Sequence, residues 1–183
     1  MANSEAARGG LEMTREPSIS VVIPAYNRER MIGRALRSVQ HQRLGAREVI
    51  LVDDASTDGT LETARAMMPE IRIFRQPRNA GPAAARNVGL AAAAGEWIAF
   101  LDSDDEWLPD KLSRQWEALC QDPALDVCAT GHWLQRAEGT RREVLPANPP
   151  DWTRALHSAQ SFHGASTPLV RKALADRVGG QDE

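Results

Sequence analysis

The stretch Trp97-Ile98-Ala99-Phe100-Leu101-Asp102-Ser103-Asp104-Asp105 carries an unbroken apolar run straight into acidic sequence. A run this short and continuous, closed by polar residues, reads as a strand buried on both faces. The same grammar recurs upstream. Ile19-Ser20-Val21-Val22-Ile23 runs into Pro24-Ala25-Tyr26-Asn27, and Val49-Ile50-Leu51-Val52 runs into Asp53-Asp54. Ile71-Arg72-Ile73-Phe74 is a weaker strand of the same kind. Helical periodicity fills the gaps. Met31, Ile32, Ala35, Leu36 and Val39 share one face. Leu61, Ala64 and Met68 mark a second helix, with side-chain oxygens of Ser56-Thr57-Asp58 placed to cap it. Asn79-Ala80-Gly81-Pro82 turns the chain into an alanine-rich helix over 83–94, which Gly95 is expected to stop as a left-handed cap. Strand and helix thus alternate four times with short connections. That order predicts an α/β fold: a Rossmann-like, doubly wound, mostly parallel sheet with helices on both faces.

Beyond the acidic segment, Leu112, Trp116 and Leu119 mark a further helix, opened by Pro109-Asp110. Val127 to Thr130 and Ala165 to Val170 read as later strands. The stretch from Glu138 to Trp152, rich in Pro, Arg and Asn, reads as a mobile loop. Residues 1–17 are polar, lack an apolar signal segment and read as a disordered leader; residues 18–183 then form one domain. The net charge of −3 gives no basis for a nucleic acid or acidic membrane partner. No apolar run approaches the ~20 residues of a membrane span. Cys120 and Cys128 form no CxxC pair and read as reduced, partly buried thiols. Together these suggest a cytoplasmic location, with the cytoplasmic face of a membrane as the peripheral alternative.

In open parallel sheets ligands bind beyond the carboxyl ends of the strands. Parallel strands would therefore gather Tyr26, Asn27, Asp53, Asp54 and the acidic segment on one edge. If strand geometry persists past Leu101, Asp102 and Asp104 point to the same side, about 6.5–7 Å apart. Hard oxygen donors without histidine suit Mg²⁺ or Mn²⁺ better than zinc; the alternative is a solvated turn capping the next helix. One carboxylate of Asp53-Asp54 could accept from a nucleobase N–H while the other holds the turn. Tyr26 could stack on a base or pack internally. Asn79 and Gly81 shape the turn before the third helix. Arg86, one turn inside that helix, could reach a phosphate or lie in solvent. His132, His157 and His163 show no metal-ligand spacing, although His163 precedes the small residues Gly164-Ala165-Ser166 that could approach a ligand.

Four segments then resemble, in order, the motifs of family 2 inverting glycosyltransferases of the GT-A fold. They are Val21 to Asn27, Val52 to Thr60, Asn79 to Gly89, and Leu101 to Asp105. The resemblance implies a UDP-, GDP- or dTDP-sugar donor, Mn²⁺ or Mg²⁺ as cofactor, and transfer with inversion in cell-envelope polysaccharide biosynthesis. It leaves the acceptor open between glycan, lipid and protein. Carried over by position, Pro24 and Tyr26 border the nucleoside and Asp54 binds the base. Asp102 and Ser103 lie by the ribose and diphosphate, and Asp104 ligates the metal with Asp102 beside it. Asn27, Gly81 and Arg86 are counted with the nucleotide-sugar-binding set. In the family, a segment like Val178 to Glu183 precedes the acidic residue that acts as general base. The resemblance therefore implies a C-terminally truncated member whose base lies beyond Glu183. Two other readings stand beside it: a catalytically silent nucleotide-sugar-binding module, and a sugar nucleotidyltransferase. The latter wants a glycine-rich loop that Pro24-Ala25-Tyr26-Asn27-Arg28 lacks.

Overall fold

The structure is a computed structural model that describes residues 16–136, 138–145 and 164–181. Its main sheet holds six strands: β1 (Ile19–Ala25), β2 (Glu48–Asp53), β3 (Arg72–Arg75), β4 (Trp97–Phe100), β5 (Val127–Ala129) and β8 (Pro168–Arg171). They lie in the order β3-β2-β1-β4-β8-β5. β1, β2, β3 and β4 are mutually parallel, and Val22 pairs with Ile50 on one side and Phe100 on the other. β8 runs antiparallel to both β4 and β5. A separate hairpin joins β6 (His132–Gln135) to β7 (Arg141–Val144). The helices are α1 (Ile32–Gln40), α2 (Thr60–Met67), α3 (Pro82–Ala92), α4 (Lys111–Gln121) and α5 (Lys172–Arg177).

The mostly parallel, doubly wound α/β architecture is the one the alternating pattern calls for. Every residue of β1 is buried, because successive side chains serve two different cores. Ile19, Val21, Ile23 and Ala25 pack with Ile32, Leu36 and Val39 of α1, Ala64 of α2, and Leu112 and Leu119 of α4. Val22 faces the other way, with Ile50, Val52, Ile98, Phe100, Ala85 and Leu90 of α3, and Ala175 of α5. Helices therefore cover both faces of the sheet.

Three expectations need correction. Arg141–Val144 is a strand rather than loop; the Arg136 N–H donates to the Thr140 carbonyl oxygen and closes the hairpin. The late strand begins at Pro168, since Ala165 to Thr167 form a turn, and it enters the sheet antiparallel. Gly95 is not a left-handed cap: α3 ends at Ala92 with Ala93 extended. A Cβ at Gly95 would lie 2.6 Å from Ser20 Oγ and 2.8 Å from the Ser18 oxygen, so close backbone approach explains the glycine. The leader up to residue 15, the stretch 146–152, His157, His163, Asp182 and Glu183 lie outside the described residues.

Candidate functional site

The chain lays β2 and then β3 to one side of β1, and crosses over to place β4 on the other. The strand order therefore reverses between β1 and β4, and at such a switch point the carboxyl ends open a crevice. Tyr26 leaves β1 there with 43% of its surface exposed, which removes it from the core. Pro24 sits deeper than the family position suggests. It is buried within β1 opposite Val52 and shapes the strand end.

The loops after β1 and β2 are tied together. Asn27, in the left-handed region at φ 51°, donates its N–H to Ser56 Oγ and accepts from the Thr57 N–H at 2.8 Å. Its side-chain amide oxygen Oδ1 is thereby committed to holding the second loop. The Arg28 N–H donates to Thr60 Oγ1 at 2.7 Å, and Glu29 Oε2 accepts from the Gly59 N–H. The N-cap of α2 is Gly59, which has no side chain to cap with, so none of the three residues expected to cap α2 is its N-cap; Asp58, one residue earlier, accepts from the Thr60 N–H instead.

The two adjacent aspartates divide as their burial dictates. Asp53 is fully buried, accepts from the Ser56 N–H and pairs with Arg75 at 3.2 Å. Asp54 is 3% exposed and reaches the turn before α3. Its Oδ1 accepts from Gln76 Nε2 and the Ala80 N–H, and its Oδ2 from the Gly81 N–H, each at 2.8 Å. Gly81 stands at φ 93°, where a side chain would be strained. Asp54 thus orders the Ala80-Gly81 turn, and its remaining acceptor capacity is on Oδ2.

The acidic segment does not continue the strand. Leu101 donates the last ladder bond to the Val22 oxygen, and the Asp105 N–H then bonds the Asp102 carbonyl oxygen at 3.0 Å. Residues 102–105 are therefore a β-turn, and the expected strand-like spacing of Asp102 and Asp104 is not realised. Each of these carboxylates faces an arginine instead. Arg86, whose side chain is only 12% exposed, pairs with Asp102 Oδ1 and donates to Gln181 Oε1 at 3.2 Å. That removes the solvated reading of Arg86. Asp104 is 46% exposed, with Arg28 Nη2 3.4 Å from its Oδ2. Ser103 is buried at 5% exposure.

Asp105 receives the Ser166 hydroxyl at 2.6 Å, while the same Oγ accepts from the Asp102 N–H. Burial, together with the charges of Asp102 and Asp104, raises the Asp105 carboxyl above its usual range against the opposing Ser166 bond. Trp107 Nε1 donates to the Ser166 oxygen, and Lys111 Nζ lies 4.2 Å from the Trp107 ring centroid. Lys111 donates to Gln115, whose amide holds the Cys128 and Thr167 oxygens. A braced network from α4, β5 and the turn before β8 thus underlies the acidic turn. Burial pushes the Lys111 ammonium down to about 7.

Among the described residues, no group of three or more His, Cys, Asp or Glu forms a closed metal cage. The donor set of Asp102 and Asp104 nevertheless fits Mg²⁺ or Mn²⁺. It is all oxygen, partly open to solvent, and short of a full protein shell, as suits ions that keep waters and take diphosphate oxygens. Each carboxylate keeps one oxygen that is paired with no arginine among the described residues. Sequence reasoning placed Tyr26, Asp54, Arg86 and the acidic turn at this edge but missed Arg28, Gln76, Ser166 and Gln181. Ser166 carried a signal as the end of the small-residue stretch after His163, and Gln181 as part of the family-like segment Val178 to Glu183.

Residues 20–173 match the family described as glycosyl transferase family 2. A Bacillus subtilis protein named as a teichuronic acid biosynthesis glycosyltransferase is 39% identical over 169 residues, spanning 89% of this chain and 66% of that one. The chain covers 43% of a Haemophilus influenzae glycosyltransferase to which it is 41% identical over 108 residues. It therefore spans only part of the length of these curated relatives. A mannosyltransferase from Pyrobaculum calidifontis, solved in complex with GDP-Man and Mn²⁺, superposes with a TM-score of 0.69 at 26% identity, covering 92% of this chain and 48% of that one. S. aureus TarS 1-349 with UDP-GlcNAc also gives 0.69 at 26% identity, over 88% of this chain and 47% of that one.

Proposed function

The chain belongs to glycosyl transferase family 2, and on that premise we propose that it transfers a sugar from a nucleotide-diphosphate sugar to an acceptor hydroxyl, with inversion and with a divalent metal. The unit we assign to this is residues 18–183, on the cytoplasmic side where sugar nucleotides are made available, with a polysaccharide of the cell envelope as product. No helix of the described residues is long and apolar enough to cross a membrane. The observation that carries the reading is the meeting of exposed Tyr26 and the acidic turn at the sheet's switch point, flanked by Arg28 and Arg86. The bound GDP-Man with Mn²⁺ and UDP-GlcNAc in the two solved relatives support it.

On this reading Tyr26 offers a ring face to the base. Asp54 accepts a base N–H on the free lone pair of Oδ2 while it keeps the Ala80-Gly81 turn in place. Asp104 and Asp102 would hold the metal. Bound there, the metal supplies Lewis-acid stabilisation of the charge that develops on the departing nucleoside diphosphate. Arg86 keeps Asp102 oriented and adds fixed positive potential beside the same oxygens. Inversion by direct displacement also needs a base in hydrogen-bond reach of the acceptor oxygen; we assign that role to none of the described residues.

Calorimetric titration with UDP, GDP and dTDP, each with and without Mn²⁺, tests the proposal. One of them binds the parent in a Mn²⁺-dependent manner, and Asp104→Asn abolishes that dependence. Failure of all three to bind refutes the donor-site reading. Unchanged Mn²⁺-dependent binding by Asp104→Asn refutes the metal assignment.

A further inference from the structure

Arg28 has a placement that the motif readings leave without a role. Its backbone is fixed, since its N–H donates to Thr60 Oγ1 and its carbonyl oxygen accepts from the N–H groups of Met31 and Ile32 at the start of α1. Its guanidinium is held far less firmly. Nη1 reaches the Tyr26 carbonyl oxygen at 3.4 Å, Nη2 lies 3.4 Å from Asp104 Oδ2, and Nε is buried without a hydrogen-bond partner among the described residues. A guanidinium is a fixed fork of five donors suited to bidentate capture of an oxyanion. Here both contacts are long and the Nε donor is unpaired among the described residues, so the fork is aimed at the acidic turn without being saturated by it. Arg86 shares a buried, unpaired Nε among the described residues but differs in its other contacts: it meets Asp102 closely, is anchored a second time on Gln181, and is nearly closed off from solvent.

The electrostatics of this arrangement are directional. A divalent ion on Asp104 would stand within a few ångströms of the Arg28 guanidinium, and the two cations repel. A diphosphate brings negative oxygens that both can share, which turns the repulsion into a joint grip. We propose that Arg28 is a positioning residue of the donor site, resting on the reading given above. It serves Asp104 as a counter-charge that disfavours metal when nucleotide is absent, and it turns onto the diphosphate when metal and nucleotide arrive together. Metal and nucleotide binding are thereby coupled through one side chain.

The test compares the parent with Arg28→Met, which keeps length and loses charge, and with Arg28→Lys, which keeps charge and loses the fork. Mn²⁺ alone is titrated by electron paramagnetic resonance. The nucleoside diphosphate that the parent binds is titrated by calorimetry at saturating Mn²⁺, and thermal melting confirms folding. Arg28→Met is expected to bind Mn²⁺ alone up to about fivefold more tightly, the range set by an exposed ion pair. It should bind the nucleoside diphosphate about tenfold more weakly, as the loss of a charge-assisted hydrogen bond predicts. Arg28→Lys should match the parent for Mn²⁺ alone. The opposite signs are the signature, because a merely structural role weakens both affinities together. Loss of both affinities, or no change in either, overturns the proposal, as does a Lys variant that behaves like Met towards Mn²⁺. A parent that binds neither Mn²⁺ nor nucleotide overturns the donor-site reading itself, a result distinct from a binding parent matched by its variants.

Discussion

Lys111→Met probes the brace beneath the acidic turn. Lys111 is 7% exposed, bonded to Gln115 Oε1 at 2.8 Å and set over the Trp107 ring. Burial lowers its ammonium from the ordinary 10.5 to about 7. That difference corresponds to roughly 4–5 kcal/mol of disfavour for the charged form in the folded state. Between pH 7 and 10.5 the unfolded chain holds this proton and the folded chain does not. Stability therefore rises with pH across that window, and the full penalty applies below pH 7. From pH 7 to 9 the lysine alone should add about 2 kcal/mol to the parent's stability. Methionine has a similar length and no charge, so the variant lacks this dependence. It also leaves Gln115 Oε1 without its donor, a cost of about 1–3 kcal/mol that does not vary with pH. Cys128, whose thiol burial pushes up against the opposing pull of Lys111, titrates in the opposite sense, and its contribution falls mainly above its ordinary 9.0, beyond the range read here. Urea denaturation followed by tryptophan fluorescence at pH 7, 8 and 9 reads the slope directly. If the stabilities of parent and variant run parallel across this range, Lys111 is not a buried, titrating lysine and the brace is wrongly drawn.

Two further substitutions test the frame and the nucleotide side. Gly89→Ala should destabilise by about 1–3 kcal/mol, although alanine is the better helix former by about 1 kcal/mol. A Cβ there would lie 2.2 Å from Cγ1 of Val22, a fully buried and rotationally stiff side chain; a variant as stable as the parent in urea would show that α3 does not press on β1 this closely. Asp54→Ala removes the acceptor of Gln76 and of the Ala80 and Gly81 N–H groups, and should cost about 2–4 kcal/mol. It should also weaken nucleoside diphosphate binding in calorimetry while leaving that binding Mn²⁺-dependent, and equal affinity in variant and parent would count against the base contact.

Much of the fold was legible because its signals are local. The buried strands announce themselves as continuous apolar runs, since β1, β2 and β4 are covered by helices on both faces. The amphipathic stripe of α1 and the Pro82 start of α3 are likewise written in adjacent residues. The β6–β7 hairpin was not legible, because its residues are mostly exposed and polar and carry no apolar alternation. Gly95 was misread because glycine serves both left-handed caps and close backbone approach. Only the position of Ser18 and Ser20 distinguishes the two.

The site shows the same division. The sequence by itself determined which residues stand at the ends of parallel strands, and hence that Tyr26, the Asp53-Asp54 pair and the acidic segment share one edge. Strand order along the chain is enough for that, because right-handed crossovers leave few alternatives. Tertiary structure decided what each side chain does there. It turned Asp102 to Asp105 into a β-turn and committed Asn27 to the neighbouring loop. It set Arg28 against Asp104, and brought Ser166 from 61 residues away to hold Asp105. Those outcomes depend on desolvation and on which partners the packed chain delivers to each polar atom. No local pattern of residues encodes either, so they become readable only once distant segments have met.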